Sequence, residues 1–478
     1  MSNSKTWIPY PKHILDPHSE LQNKEQLLHE LKSKLPTTPV SPKVFTSVPL
    51  SSSPQIQKNI KKLCGGKAVA VITGQQPCLF GGPSLVIHKV ATAISICQWL
   101  QSQELEAVPV FWNASEDHDL HEILQTNVLY ANMEVKKVKK DFDALKSAES
   151  LKALNSHEFP KDFSPNLKKL FLSNSSDWGR QFGAVMAEIF SPCGLVVVEP
   201  RDFRSINLPF WNLVEKQQRD LAIAYEKSEA NLLKNGMALQ APRRQKLPIF
   251  KLNPDSGERE LLRDDKFSVK SLAEPWVHSP GALLRPLMAQ YHLPIAISVL
   301  GPSEYMYHQQ IVDAYGALGL DRPTFWPRLS GTWIPAKIRT ILQKHGLNVD
   351  ETLLEPKGLQ QHFAKSESLE SKAFSLHMKN LLLESQRQFP EELGGLQRLE
   401  QDLYKALNRF DRHLQRLQWK EKGLSPLEIH RLQEFITPKG QPQERILSWS
   451  QIISDSASME KILNIFKNPF DFSHRFYD

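Results

Sequence analysis

Short, nearly continuous apolar runs punctuate the first two thirds of the chain. Ala68–Thr73, Val108–Asn113, Leu195–Pro200 and Pro294–Gly301 are such runs, and each ends at a turn or at the start of a helix. Runs of this length, rich in β-branched residues, predict buried strands. Between them the period lengthens. Ser84–Leu100 carries Leu85, Lys89, Thr92 and Ile96 at helical spacing, and a second helix is predicted over Ser303–Leu318, directly after the last run. Buried strands alternating with helices predict an α/β fold with a doubly wound parallel sheet. The polar stretches Lys136–Asp177 and Arg243–Lys270 read as insertions on that core, and residues 1–67 as an N-terminal arm with one helix near Glu20–Leu35.

The pattern changes after about Leu359. From Leu396 the apolar residues fall on a heptad, with Leu396, Leu403, Phe410 and Leu417 at a positions and Leu399, Ala406 and His413 at d positions. An earlier helix near Glu370–Phe389 carries Phe374, Met378 and Leu381, and Pro390 with Gly394-Gly395 separates the two. The expectation is an antiparallel helical coiled-coil hairpin over 360–424 that serves as a dimer contact. The core would then cover 1–359, and 425–478 would pack back on it.

Composition narrows the class. A chain of 478 residues with 40% hydrophobic and 23% charged residues suits a globular protein of two or three domains. It contains no apolar run of about 18 residues or more that would span a membrane, and its N-terminus lacks the features of a secretory signal, so a cytoplasmic location is expected. Cys64, Cys78, Cys97 and Cys193 show neither CxxC pairing nor finger spacing, which argues against a disulfide framework or a zinc site. The net charge of +7 favours anionic partners such as a nucleotide or a carboxylated metabolite.

Candidate chemistry clusters at the strand ends, where ligands bind in open α/β sheets. The turn after the first strand contains Thr73, Gly74, Gln75, Gln76, Gly81 and Gly82, whose glycines permit close approach of backbone N–H groups to an anion. Lys89, one turn into the following helix, could reach the same anion. The turn after the second strand contains Glu116, Asp117, His118 and Asp119. Acidic residues suit a first helical turn, and a histidine held by a carboxylate can act as a base. Metal ligation by this cluster is the alternative, but no i, i+4 histidine pair supports it, and no metal is predicted. Before and after the fourth strand stand Arg285, suited to a carboxylate, and Gly301 with Glu304, suited to an ammonium.

Taken together, Thr73–Pro83 (TGQQPCLFGGP), Pro109–Ile123 (PVFWNASEDHDLHEI), Gly281–Leu287 (GALLRPL), Leu300–Glu304 (LGPSE) and Gly440–Arg445 (GQPQER) resemble the BshC family, the cysteine-adding enzymes of bacillithiol biosynthesis. The strings occur in the family's order and span most of the chain. The resemblance implies a Rossmann-like core, akin to the class I synthetase-like nucleotidyltransferases, with an inserted coiled coil that supports a homodimer. It implies a ligase that joins the carboxylate of L-cysteine to the amine of glucosaminyl-malate. The chain departs from the family pattern at Cys78, His88 and Ser303, and it lacks the HxGH and KMSKS signatures of the synthetases.

Amide formation in water requires an activated carboxylate, so ATP or a similar activating cosubstrate is expected. On this reading the glycine turn holds phosphate or carboxylate groups, and Glu304 or Asp119 holds the cysteine ammonium. His118, aligned by Asp117 or Asp119, takes the proton of the attacking amine, while Arg285 and Lys89 hold the malate carboxylates. Two other classes compete. A metal-dependent hydrolase would be built on the His118 cluster, and a basic coiled-coil protein would bind nucleic acid, for which the sequence offers no known module. Neither accounts for the glycine-turn strings.

Overall fold

The computed structural model describes residues 23–35, 37–46, 53–116, 123–130, 134–140, 177–241, 247–253, 259–262, 278–349, 369–389, 425–453 and 456–478, with isolated positions in 155–172, 354–359 and 395–423. The chain divides into two compact units. The first comprises Met1–Val128, Lys136–Gly331 and Glu444–Tyr477; the second comprises Leu129–Val135, Thr332–Gln443 and Asp478.

The first unit is built on five parallel strands. In chain order the elements that position the site are β1 (Val69–Gln75), α1 (Leu85–Ser102), β2 (Ala107–Asn113), α2 (Trp178–Ile189) and β3 (Val196–Val198). After them come β4 (Ile249–Leu252), β5 (Arg259–Leu261), β6 (His278–Pro280), α3 (Arg285–His292), β7 (Ile295–Leu300), α4 (Pro302–Gln309) and β8 (Thr324–Pro327). The spatial order is β8-β7-β1-β2-β3, and every pairing is parallel. The chain thus builds outward from β1 through β2 to β3, then returns to the other side of β1 with β7 and β8. The reversal leaves a crevice between the carboxyl ends of β1 and β7, the standard ligand position in such sheets.

The expected α/β doubly wound, Rossmann-like sheet is therefore present. Its central strands are buried on both faces, which explains their unbroken apolar character. Ala70 and Ile72 of β1 join Val108, Val110, Trp211 and Leu287 in one core. Val69 and Val71 point the other way and pack with Ala93, Ile96, Leu100 and Trp326. Helix α1 is buried on nearly every side. The structure also refines the sequence reading. The helix expected over Ser303–Leu318 is two helices, α4 and Val312–Ala317. The insertion at 243–270 contributes β4 and β5, which with β6 form a separate antiparallel sheet ordered β5-β4-β6.

In the second unit, α5 (Leu369–Gln388) occupies the first arm of the expected hairpin, and α6 (Pro426–Ile436) begins with a Ser425–Glu428 capping box. Much of 390–424, including the heptad residue Leu396, lies outside the described residues. Several described apolar side chains here face solvent: Leu376, Leu381 and Leu383 on α5, then Leu399, Phe410 and Leu417. Among the described residues no helix is long and apolar enough to cross a membrane.

Candidate active site at the strand-order reversal

A cavity of about 340 Å³ lies in the crevice where the strand order reverses. One side comes from the end of β1 and the turn beyond it: Ile72, Thr73, Gly74, Gln75 and Gln76. The other comes from Ser298, Val299 and Leu300 of β7, with Glu304, Tyr307 and His308 of α4 and Arg285 at the start of α3. The cavity is of the size that takes one small metabolite.

Local chemistry shapes this turn. Gly74 pairs with Trp112 across β1 and β2, and a Cβ on Gly74 would sit 2.8 Å from the Trp112 carbonyl oxygen. Only glycine allows the two backbones to approach so closely. The Thr73 hydroxyl donates to the Val299 carbonyl at 3.0 Å, tying β1 to β7 at the cavity edge.

The strongest electrostatic feature is a pair formed across the crevice. Lys89 Nζ donates to Glu304 Oε1 at 2.6 Å, to the Gly74 carbonyl at 2.9 Å and to Gln75 Oε1 at 3.0 Å. Its side chain is 3% exposed, whereas Glu304 keeps 28% of its side chain accessible. Burying an ammonium is costly unless charge and hydrogen bonds are matched, and here three acceptors match it. The other Glu304 oxygen accepts from the Gly301 N–H at 2.6 Å. Burial opposes ionisation of Glu304, but Lys89 and the Gly301 amide overcome it and hold the carboxyl below its usual range. The result is a fixed carboxylate on a side chain that lines the cavity and stays partly accessible.

These contacts sort the sequence-predicted residues. Thr73, Gly74, Gln75, Gln76, Arg285 and Glu304 are brought together on one cavity wall or another. Lys89 is reassigned: it is committed to Glu304 and the β1 turn rather than held free for a malate carboxylate. Gly301 supports Glu304 through its amide. Gly81 and Gly82 serve a different purpose. Both have positive φ, 82° and 79°, and a Cβ on Gly81 would lie 2.2 Å from the Trp449 ring. Gly81 lets the turn pack beneath Trp449, whose indole N–H donates to the Gly81 carbonyl, whereas a Cβ on Gly82 would lie 2.6 Å from the Cys78 Cβ. Glu116 is also structural. It is buried against Arg204, with Nε–Oε1 3.0 Å, and accepts from the Ser279 hydroxyl, while Arg259 donates to its carbonyl at 2.9 Å. Burial opposes its charge, yet Arg204 and Arg259 hold its carboxyl below the usual range. Asp117, His118 and Asp119 lie outside the described residues.

The sequence reading passed over the aromatic part of the lining: Trp112, Tyr307, His308 and Tyr315. A signal for His308 was available, because it stands four residues after Glu304 and so shares its helix face. Burial pushes the His308 imidazole down to about 4, against the opposing pull of Glu304, so the ring is neutral at physiological pH.

The match to known families fits this geometry. Residues 22–329 match the family model described as bacillithiol biosynthesis BshC, N-terminal Rossmann-like domain. The chain belongs to the BshC family. Its relatives include "Putative cysteine ligase BshC" of Staphylococcus aureus strain bovine RF122 / ET3-1, 25% identical over 452 residues, covering 85% of this chain and 83% of that one. The protein of the same name from strain COL is 24% identical with the same coverage, and that of strain MRSA252 is 23% identical over 451 residues.

Two of the three departures noted for this BshC chain, His88 and Cys78, have a local setting in the structure. His88 is fully buried, with Nδ1 2.9 Å from Glu444 Oε2 and Nε2 2.8 Å from the Tyr477 hydroxyl. Arg328 donates to the other Glu444 oxygen at 2.7 Å. Glu444 thus anchors the returning C-terminal segment to α1 and to Arg328, the residue after β8. Cys78 is buried, and its thiol donates to the Gln76 carbonyl at 3.2 Å. Nothing in the structure explains Ser303.

Proposed function

We propose that this protein is the cysteine ligase of bacillithiol biosynthesis, forming the amide between the L-cysteine carboxylate and the amine of glucosaminyl-malate. One observation carries the reading: in a BshC-family core, the cavity at the strand-order reversal presents a carboxylate, Glu304, held ionised by a buried lysine. A fixed carboxylate suits an ammonium, and L-cysteine bears one beside the carboxylate that reacts. Arg285 lines the same cavity and suits a malate carboxylate, since its guanidinium can form two parallel hydrogen bonds. His118, with Asp117 and Asp119, remains the proposed base for the attacking amine. The carboxylate must be activated, so the reading includes ATP or an equivalent cosubstrate. Family membership favours ligation over a metal-dependent hydrolase or a nucleic-acid-binding protein.

We also place a homodimer in this reading. Leu399, Phe410 and Leu417 follow heptad spacing and are each about half exposed in the single chain, and a second copy of the same helices would cover them.

The test is reconstitution. Purified protein with L-cysteine, glucosaminyl-malate and ATP should form bacillithiol, detected by mass spectrometry, and a strain lacking the gene should accumulate glucosaminyl-malate. Normal bacillithiol in that strain would refute the assignment.

A further inference from the structure

Trp112 and His308 line the cavity, and each carries a buried polar atom with no protein partner among the described residues, Trp112 Nε1 and His308 Nδ1. The residues are 7% and 6% exposed. Buried donors and acceptors are nearly always satisfied in folded proteins, so an unsatisfied pair in one cavity points to groups that a ligand completes. Both rings are held in place. Trp112 stacks on Phe203, with centroids 5.3 Å apart and planes at 27°, and His308 meets Phe325 edge-on at 5.2 Å and 81°.

We infer that Trp112 and His308 are positioning residues that read the sugar hydroxyls of the amine substrate. The inference rests on the ligase reading above and deepens it. Its basis is the kind of hydrogen bonding on offer. An indole N–H can only donate, and imidazole Nδ1 donates or accepts according to tautomer. The charged groups of the substrate have charged counterparts in the same lining, Glu304 for an ammonium and Arg285 for a carboxylate, which leaves the hydroxyls for these two rings. A hydroxyl both donates and accepts, and so can satisfy either atom. Tyr307 and Tyr315 add aromatic surface to the same cavity, and the C–H faces of a sugar ring pack well against such surface.

The experiment is calorimetric titration of the full chain with glucosaminyl-malate and with analogues in which single ring hydroxyls are replaced by hydrogen. Wild type, Trp112→Phe, His308→Leu and His308→Asn are compared, with thermal melting as the folding control. The expected result is a tenfold or greater loss of affinity in Trp112→Phe and in His308→Leu. His308→Asn, whose amide reaches the position of Nδ1, should recover most of it. At least one deoxy analogue should bind wild type tenfold more weakly yet bind the matching variant no worse than the full substrate does. Wild-type affinity in both deletion variants would overturn the inference. So would equal weakening toward the substrate and every deoxy analogue, which would mean that the rings only shape the cavity. If wild type fails to bind glucosaminyl-malate at all, the ligase reading itself falls and takes this inference with it.

Discussion

Lys89 and Glu304 meet at 2.6 Å although 215 residues separate them in the chain. One comes from the helix after β1 and the other from the helix after β7, the two parallel strands between which the strand order reverses. The pair therefore ties the two sides of the crevice together and fixes the carboxylate that the cavity presents. Replacing Lys89 with Met would leave Glu304 without its charge partner. Removing one member of a buried pair costs about 3–5 kcal/mol. Chemical denaturation should place Lys89→Met toward the low end of that range, because Glu304 is partly open to the cavity. A double-mutant cycle with Glu304→Gln should give a coupling of at least about 1 kcal/mol, and additive effects would refute the pair.

Gly81→Ala distinguishes packing from ligand binding. The added methyl would meet the Trp449 ring in a backbone conformation that disfavours any side chain. A loss of roughly 2–4 kcal/mol is expected, as for strained or overpacked sites. Trp449→Leu should relieve part of that loss in the double variant. A Gly81→Ala protein with unchanged melting temperature but lost anion binding would restore the glycine turn as a ligand cradle.

Stability should fall on mild acidification. Burial pushes His292, His308 and His474 down from 6.5 to about 4, and lowers fully buried His88 as well. The unfolded chain takes up protons near pH 6.5, whereas the native protein resists them until lower pH, so each histidine contributes stability that is lost as pH falls from about 6.5 toward 4. Glu444 adds a later loss. Despite its burial, Arg328 and His88 hold its carboxyl well below 4.5, so its contribution is present above about 4.5 and disappears below it. Melting temperature measured against pH should decline through this window, and His292→Gln should flatten the upper part of the curve. A level profile from pH 6.5 to 5 would contradict the burial of these rings.

The solvent-facing apolar residues of the second unit predict self-association. Sedimentation of the wild type should give a dimer. Phe410→Glu combined with Leu417→Glu should shift it to monomer with little change in the melting of the sheet-containing unit. A monomeric wild type would remove the coiled-coil contact from the proposal.

The sequence by itself determined the framework. Central parallel strands are buried on both faces, so Val69–Ile72, Val108–Phe111 and Ile295–Val299 carry their assignment in composition alone. The turns at Gly74 and Gly301 were legible for the same reason, because a buried strand must end where glycine and polar residues begin. Strand β8, by contrast, is a short edge strand with too little pattern to stand out, and β4 and β5 of the antiparallel sheet hide in a polar insertion and bury only part of their surface. Side-chain roles were decided by tertiary structure, because the partners lie far apart in sequence. Lys89 reads as a free cation until Glu304 is brought to it, Gly81 reads as an anion loop until Trp449, 368 residues later, packs over it, and His88 reads as a substitution until Glu444 and Tyr477 enclose it. Local periodicity specifies which face of an element is buried; the neighbour that satisfies a buried charge or fills a glycine's space is set only when the sheet order brings distant segments together.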